Sequence, residues 1–477
     1  MKKISVSMLS IILLSMFFMS CSNKTNVEDN ELCTNISHPD WSRNAVIYEV
    51  NIRQFTEEGT FKAFQQHLPR LKALGVDVLW LMPIHPVSKV NRKGELGSYY
   101  AVQNYKDVNP EFGTLNDFKA IVDEAHSLGM KVILDWVANH TGCDNVWINS
   151  NPEWYKRDSV GNFVAPYDWT DVYELDYTKD EVREAMTDAL EFWVKEYDVD
   201  GYRCDVAFLV PLDFWEAARK RLDNIKPVFM LAEAEKAELT VNAFNMVYNW
   251  PLKDVMNQIA KGKDAKNPTY LHESLLGNES TIKTALDIDK LRAIQDSVFP
   301  CDVYQMNFIT NHDENSWDGT EYERMGDAVN TFAVLTYTLN GMPLIYTGQE
   351  VGLDRRLEFF TKDTPPNWEN NKNLVEFYTK LNQLKKSQAA LNAGKEGGKF
   401  VKFSTSNDKS VYAFSRQLDS KNEVLVILNL TPEVSTVSFT EAPKGKFTNY
   451  FTGETESFDK KELELTLQAW EYKVLTK

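Results

Sequence analysis

The sequence predicts an α/β protein, a (β/α)8 TIM barrel with a short inserted segment after its third strand and an antiparallel β-sandwich at its C-terminal end. Two observations carry this prediction. Apolar strands alternate with amphipathic helices eight times within residues 41–392, the number of repeats that a closed barrel needs. From residue 393 to residue 477 the pattern changes to short alternating strands, which is typical of a β-sandwich. A doubly wound open sheet is the alternative for the first part.

The eight barrel strands are predicted from runs of apolar and β-branched residues. Residues 76–84 (VDVLWLMPI) are almost continuously apolar, as expected of a parallel strand that helices cover on both faces. Amphipathic periodicity predicts helices between the strands, for example over residues 61–74 and 179–197. The predicted strands lie within residues 45–55, 76–84, 131–140, 197–209, 228–235, 244–250, 305–314 and 341–350.

A segment rich in tryptophan and aspartate interrupts this alternation at residues 141–176. It is too long for a simple connection between a strand and a helix, so we expect it to be a small functional insertion.

Residues 1–20 are predicted to be a secretion signal. Two lysines precede an apolar run that ends at Ser20 and Cys21. The segment resembles a bacterial lipoprotein signal, which would place a lipid on Cys21 and make residues 21–40 a polar tether. An uncleaved membrane anchor is the alternative. Both interpretations predict an exported protein that is held at a membrane, either in the periplasm or at the cell surface.

The charge and the cysteines exclude several classes of function. A net charge of −17 and a pI near 5.0 argue against a nucleic-acid partner. The remaining cysteines, Cys33, Cys143, Cys204 and Cys301, are far apart and include no C-x-x-C motif. They therefore suggest neither a zinc site nor a disulfide framework, and the sequence leaves open whether any of them pair.

The segment around Arg203 and Asp205 gives the first indication of catalytic chemistry. Because side chains alternate between the two faces of a strand, these two residues point to the same side. A guanidinium beside a carboxylate favours its ionised form, which is the form that a carboxylate nucleophile needs. A structural ion pair at a strand end is the alternative interpretation.

Other polar residues fall at the predicted carboxyl ends of barrel strands, where TIM barrels place their active sites. They are Asp135, Asn139, His140, Glu233, Asn311, His312 and Asp313. Any one of these residues could be a satisfied core group, but their convergence on one rim predicts a catalytic site.

The motifs at these positions resemble those of the α-amylase family of glycoside hydrolases. Four match the family's central regions: DWVANH (135–140), GYRCDVAF (201–208), LAEAE (231–235) and FITNHD (308–313). Four more resemble flanking segments: VIYEVNIRQF (46–55), SYYAVQNYKDVNPEFGT (98–114), ELDYT (174–178) and GMPLIYTGQE (341–350). The match runs in the family's order over roughly residues 41–477.

The resemblance implies a retaining glycosidase that acts on α-1,4-linked glucans. It implies Asp205 as the nucleophile, Glu233 as the general acid and base, and Asp313 as a second carboxylate that holds and distorts the sugar. Tyr100, His140, Arg203 and His312 would bind the sugar at the cleavage point. We expect the carboxyl groups of Asp205 and Glu233 to lie about 5–5.5 Å apart, as retention of configuration requires.

The sequence departs from the family pattern after the nucleophile. Phe208 and Leu209 stand where many members have Lys and His, which help to hold a calcium ion. No cofactor is expected to be required. Calcium remains an open expectation, with Asn139 and Asp176 at positions that match its ligands.

Two functional hypotheses remain at this stage. The first is an α-glucan hydrolase, a class that includes cyclomaltodextrinases, pullulan-cleaving enzymes and transglycosylases that the motifs do not separate. The second is a lipid-anchored glycan-binding protein on an inactive scaffold. The presence of all three acids favours the enzyme. The sequence does not predict the oligomeric state.

Overall fold

Eight parallel strands close into a barrel in the computed structural model, which describes residues 33–262, 283–458 and 464–477. Around the barrel the strands follow the order β1-β10-β9-β8-β7-β6-β3-β2. The remaining two of the first ten strands, β4 and β5, pair with each other as an antiparallel hairpin. These ten strands are β1 Ile47–Val50, β2 Val78–Leu81, β3 Lys131–Trp136, β4 His140–Gly142, β5 Val172–Glu174, β6 Gly201–Cys204, β7 Phe229–Ala232, β8 Met246–Tyr248, β9 Tyr304–Asn307 and β10 Met342–Tyr346.

Helices surround the barrel and connect its strands. The described α-helices are α1 Ile52–Phe55, α2 Phe61–Gln65, α3 Leu68–Leu74, α4 Leu115–Ser127, α5 Val146–Ser150, α6 Asp180–Tyr197, α7 Leu212–Asp223, α8 Leu239–Asn242, α9 Trp250–Lys261, α10 Ala285–Val298, α11 Glu321–Met325, α12 Val329–Thr338 and α13 Lys372–Ser387. Their boundaries follow ordinary signals: the Thr114 side chain caps α4 in a capping box, and Gly75 ends α3 in a left-handed conformation.

Two predicted elements differ from the structure. Residues 45–55 were expected to form one strand, but the strand ends at Val50 and residues 52–55 form α1. The predicted helix over residues 61–74 is divided into α2 and α3. In both cases a β-forming or amphipathic pattern continues past the point where the chain turns, so the pattern alone does not mark the boundary.

Successive side chains of each barrel strand point alternately into the barrel and toward the surrounding helices. Ile47, Trp80, Ile133, Phe229 and Leu231 belong to the cluster within the barrel. Their neighbours in sequence, such as Tyr48, Leu79 and Val132, pack in the cluster that faces the helices. Both sets are fully or almost fully buried, which explains why the strands are apolar on both faces.

The C-terminal strands form a six-stranded antiparallel sheet in the order β11-β12-β13-β18-β15-β16 and a two-stranded sheet of β14 and β17. Residues of both sheets share one apolar cluster, so the sheets pack face to face. The other face of the larger sheet packs on the barrel, where Phe377 stacks on Phe451. The predicted fold class is confirmed. The strands are β11 Lys399–Phe403, β12 Val411–Gln417, β13 Glu423–Asn429, β14 Ser435–Ser438, β15 Lys446–Asn449, β16 Thr455–Ser457, β17 Glu464–Leu467 and β18 Tyr472–Thr476.

The predicted signal, and Cys21 with it, lie outside the described residues. Within the described ranges, no helix is both long enough and apolar enough to cross a membrane.

Candidate active site

The alternation of side chains that fills the inside of the barrel also places polar side chains at its open, carboxyl-terminal end. The inward-pointing residues of these strands include Ile47, Ile133, Phe229 and Met246. Because side chains alternate along a strand, the residue two positions later points to the same side. After Phe229 the residue four positions later does so as well. These later residues are Glu49, Asp135, Glu233 and Tyr248. Arg203 and Asp205 follow the same rule on β6. His312 and Asp313 come from the loop after β9. All of these residues lie at the carboxyl ends of the strands, where the sequence predicted a site.

A cleft of about 430 Å³ opens at this end of the barrel. It brings together six of the seven predicted catalytic and sugar-binding residues, Tyr100, His140, Asp205, Glu233, His312 and Asp313. The seventh, Arg203, lies beneath it and contacts two of them. The remaining lining residues are Lys93, Ser98, Asp168, Trp169, Asp171, Val172, Val206, Phe208, Trp250, Trp317, Phe359 and Phe360.

Arg203 is completely buried and joins the acids of the site. Its Nη1 atom lies 2.8 Å from Asp135 Oδ1 and 3.0 Å from Asp205 Oδ1. Its Nη2 atom lies 2.9 Å from Glu233 Oε2, and its Nε donates to the Tyr248 hydroxyl at 3.0 Å. The expected pairing of Arg203 with Asp205 is present, and the same guanidinium also holds Glu233. One buried cation offsets only part of the charge of three carboxylates.

The ionisation of Asp205 differs from the sequence interpretation, which relied on Arg203 alone. Burial raises the pKa of Asp205 well above its ordinary value, the nearby Glu233 carboxylate raises it further, and Arg203 only partly opposes this. Each negative charge disfavours the other, so Asp205 ionises less readily than the contact with Arg203 alone would suggest.

Glu233 is held by the backbone as well as by Arg203. The backbone N–H of Val206 donates to Glu233 Oε2 at 2.8 Å. Val206 adopts φ 35°, in the left-handed region that a β-branched residue rarely occupies. Strain of this kind persists where the surrounding structure imposes it, commonly at functional sites. Both contacts fall on Oε2.

His140 is buried and neutral at ordinary pH. Burial lowers its pKa to about 3. The Asn139 side-chain amide lies 3.3 Å from His140 Nδ1, and a neutral ring that accepts there carries its proton on Nε2. That Nε2 atom lies 4.0 Å from Asp205 Oδ2, so the ring presents a donor beside the predicted nucleophile.

His312 differs from His140 in that its surroundings favour the charged form of the ring. Its Nδ1 atom lies 2.5 Å from Glu49 Oε1, and its Nε2 atom lies 3.3 Å from Asp313 Oδ2. Burial lowers the pKa of His312, but Asp313 and Glu49 together outweigh burial and raise it to about 9. Burial raises the pKa of Asp313 to about 6, against the opposing charge of His312. His312 is therefore a cation held between two carboxylates.

Tyr100 closes the floor of the cleft. Its hydroxyl donates to Asp135 Oδ2 at 3.0 Å and lies 2.8 Å from His312 Nε2. Its ring is nearly parallel to that of His312, at 5.5 Å between centroids. Trp80 donates to the same Asp135 oxygen at 3.1 Å. These contacts fix the orientation of the Tyr100 ring, as a stacking surface for a sugar requires.

Several residues of the site were not predicted from the sequence. Glu49 and Tyr248 lie on barrel strands with inward parity, so the strand pattern could have revealed them. Trp317, Phe359 and Phe360 form an aromatic wall on one side of the cleft, with ring centroids 5.0–5.9 Å apart. Trp317 lies in a π-helical turn, Glu314–Asp318, and Phe359 and Phe360 lie in an irregular segment, so no common local pattern marks them.

The proposed calcium ligands have other partners in the structure. Asn139 is buried and directs its amide nitrogen toward His140. Asp176 Oδ1 accepts hydrogen bonds from the backbone and hydroxyl of Thr178, at 3.1 and 2.6 Å. Across the described ranges, no three His, Cys, Asp or Glu side chains form a group that could hold a metal.

Comparison with known proteins identifies the family. Residues 18–158 and 148–389 match the profile described as "Alpha amylase, catalytic domain", and residues 404–471 match "Alpha amylase, C-terminal all-beta domain". The chain belongs to the α-amylase family. Membership in this family makes it an α-amylase-type glycoside hydrolase, as the motifs predicted.

Individual α-amylases resemble the chain over most of its length. "Alpha-amylase 3" of Dictyoglomus thermophilum is 25% identical, over 85% of this chain and 88% of the relative. The solved "noncanonic maltogenic alpha-amylase AmyB" of Thermotoga neapolitana superposes with a TM-score of 0.80 at 29% identity, covering 91% of this chain and 98% of AmyB. An α-amylase of Lactobacillus plantarum gives 0.77 at 30% identity over the same shares.

Proposed function

We propose that this protein is a retaining glycoside hydrolase that cleaves α-1,4-glucosidic bonds in starch-type glucans or maltooligosaccharides. The observation that carries the proposal is the shared guanidinium of Arg203, which contacts both Asp205 and Glu233. It holds one oxygen of each carboxyl group, at the edge of the same cleft. A retaining glycosidase needs such a pair, with one carboxyl to attack and the other to donate a proton.

In the first step the Asp205 carboxylate attacks the anomeric carbon while the bond from that carbon to the glycosidic oxygen breaks. Glu233 gives its proton to the departing oxygen. In the second step Glu233, now a carboxylate, removes a proton from water, and the water oxygen attacks the same carbon. Asp205 leaves as a carboxylate. Two inversions at one carbon return the α-configuration.

The charged groups beside the pair stabilise and orient the sugar. Asp313 and the His312 cation lie together on one side of the cleft, where they can bind hydroxyl groups by charge-assisted hydrogen bonds. The neutral His140 can donate a hydrogen bond to the sugar from the side of the cleft where Asp205 lies. The carboxylate of Asp313 also favours the positive charge that develops on the sugar ring in the transition state.

The shape and lining of the cleft support a chain of several sugars as the substrate. Trp317, Phe359 and Phe360 form an aromatic surface beside Tyr100, and Trp169 and Trp250 also line the cleft. Sugar rings present apolar faces that stack on such surfaces. The names of the similar enzymes, among them maltogenic α-amylase AmyB, support the same substrate class. Cyclomaltodextrin cleavage, pullulan cleavage and transglycosylation are the alternatives within it.

Product analysis tests this proposal. The purified protein is incubated with maltoheptaose, soluble starch, pullulan and cyclodextrins, and NMR gives the configuration of the first products. We expect α-configured maltooligosaccharides from the wild type, and a loss of about a thousandfold or more in Asp205→Asn. The control is Asp123→Asn, which changes an exposed aspartate on α4 and should retain full activity.

The alternative outcomes are distinct. β-Configured first products would refute the retaining mechanism. Binding of glucans without cleavage by the wild type would identify a glycan-binding protein instead. Preferential cleavage of cyclodextrins or pullulan would assign one of the alternative activities.

We also propose that the protein is exported and anchored through a lipid on Cys21. The support is the order of charged, apolar and small residues before Cys21 in the sequence. Radiolabelled fatty acid should enter the wild-type protein in cells and not a Cys21→Ala variant. Equal labelling of both proteins, or of neither, would refute the anchor.

A further inference from the structure

The chain before β1 lies across the closed end of the barrel, opposite the cleft. We call residues 33–43 the N-terminal arm. Asn35 donates its backbone N–H to Val241 O at 2.8 Å, and His38 stacks on Tyr304 with 4.1 Å between ring centroids. Tyr304 is the first residue of β9, and Val241 lies shortly before β8. The arm is therefore attached where the strands begin, whereas the cleft lies where they end.

Cys33 and Cys301 meet at the start of this arm. The two Sγ atoms are 2.9 Å apart, although the residues are separated by 268 positions in the sequence. Cys301 lies in the loop between α10 and β9. Adjacent contacts hold the arm in place: Arg219 and Asn245 donate to Ser37 O at 3.2 and 3.3 Å. The fold thus brings together two of the cysteines whose pairing the sequence left open.

The surroundings of this pair differ from those of the other described cysteines. Cys33 is exposed and Cys301 is partly exposed, so a thiol reagent can reach them. Cys143 and Cys204 are buried, and burial raises the pKa of both thiols. Buried thiols of this kind are chemically inert.

A positive charge lies beside the exposed pair. Lys395 forms an ion pair with Asp302 at 3.0 Å, and that contact raises the pKa of Lys395, with smaller contributions from Cys301 and Cys33. The thiolate form of a cysteine is the nucleophile in disulfide exchange.

We propose that Cys33 and Cys301 form a disulfide that locks the N-terminal arm to the closed end of the barrel. The Cys33 thiolate attacks one sulfur of an external disulfide, which releases one thiol and leaves a mixed disulfide. The Cys301 thiolate then attacks the Cys33 sulfur and releases the second thiol. Two protein thiols lose two electrons and two protons, and the external disulfide is reduced to two thiols. The lock does not depend on the glycosidase activity.

Differential alkylation of the full chain tests this proposal. The purified protein is treated with oxidised glutathione, free thiols are blocked with iodoacetamide, and disulfides are then reduced and labelled with a second reagent before peptide mapping. We expect the second label on Cys33 and Cys301 and the first on Cys143 and Cys204 once the protein is unfolded for blocking. A cross-linked peptide that is lighter by two hydrogen atoms should appear before reduction.

A matched set of variants separates the lock from a general effect of losing a cysteine. Cys33→Ser and Cys301→Ser should each abolish the cross-linked peptide, and Cys143→Ser should retain it. In the oxidised wild type, dithiothreitol should lower Tm by several degrees, because the cross-link restricts the unfolded chain. The same reagent should not change Tm in Cys33→Ser.

Two results would overturn the proposal. One is complete first-label alkylation of Cys33 and Cys301 after glutathione treatment. The other is a mixed disulfide with glutathione on Cys33 that persists in the wild type, because it would show that the Cys301 sulfur does not reach its partner.

Discussion

The Nδ1 atom of His312 lies 2.5 Å from Oε1 of Glu49, and neither side chain is more than 2% exposed. This contact links the loop after β9 to the end of β1, the strand that pairs with β10 and β2. It keeps a cationic imidazole beside Asp313 at the floor of the cleft. The charge of the candidate site therefore depends on a residue outside the predicted catalytic set.

Stability should decrease at alkaline pH because of this pair. The folded pKa of His312, about 9, is above the ordinary value of 6.5. The stabilisation is therefore complete below pH 6.5 and is lost as pH rises through about 9. We expect Glu49→Gln to remove about 1.5–3 kcal/mol of this contribution, the range for a hydrogen bond to a charged group. NMR titration of the His312 ring should show a lower pKa in the variant.

The control for this experiment is Glu376→Gln, which removes a surface carboxylate paired with Lys380 on α13. Denaturant unfolding at several pH values measures the effect. An unchanged slope of stability against pH in Glu49→Gln would contradict the role assigned to this contact.

Activity should decrease on the acidic side near the pKa of Asp313. That pKa is about 6, and a protonated Asp313 no longer supplies negative charge to the sugar. We expect kcat/KM to fall about tenfold for each pH unit below this value. Because the His312 charge lowers the pKa of Asp313, His312→Gln should move the acidic limb to higher pH. A limb that stays in place would show that another group controls it.

Substitution of Asn139 distinguishes between two roles for this residue, a hydrogen-bond donor to His140 and a calcium ligand. If its amide donates to His140 Nδ1, Asn139→Asp removes the donor and disturbs the tautomer that faces Asp205. We expect a loss of about tenfold in kcat, equivalent to one neutral hydrogen bond. If Asn139 were instead a calcium ligand, the added carboxylate would preserve activity and strengthen calcium binding. Kinetics and calcium titration of this variant, with Asn139→Ala beside it, decide between the two.

Removal of divalent cations should leave the enzyme intact. The described residues around Asn139 and Asp176 offer few carboxylate oxygens for a hard cation. We expect dialysis against EDTA to change neither Tm nor the rate on maltoheptaose. A fall in Tm that added calcium restores would establish a calcium site and contradict this expectation.

The aromatic wall should discriminate between short and long substrates. Trp317 is 41% exposed and packs on Phe359 at the edge of the cleft. We expect Trp317→Ala to raise KM for maltoheptaose about three- to tenfold, from the loss of one stacking interaction, with little effect on maltotriose. Leu418→Ala changes a side chain of similar exposure in the C-terminal domain and should alter neither. An equal effect on both substrates would place the wall at the cleavage point.

Strand periodicity was enough to predict the barrel and the location of its site. Once the inward parity of a strand is fixed, as by Phe229 and Leu231, the placement of Glu233 follows from covalent geometry. The same rule could have revealed Glu49 and Tyr248.

The features that sequence could not supply depend on separate segments that meet only in three dimensions. Trp317 lies in a short π-helical turn and Phe359 in a separate irregular loop, so no period indicates their common wall. The raised pKa of Asp205 arises from its burial and from Glu233 on the next strand, neither of which local sequence reports. The meeting of Cys33 and Cys301 is a consequence of barrel closure.

The placement of the N-terminal arm has a practical consequence for handling this enzyme. The arm lies on the side where β8 and β9 begin, whereas Asp205 and Glu233 open on the side where strands end. Immobilisation through the N-terminal arm should therefore leave the cleft open to long polymers. A linkage made near Trp317 would instead obstruct the entrance, so the two attachments should differ most on starch and least on short oligosaccharides.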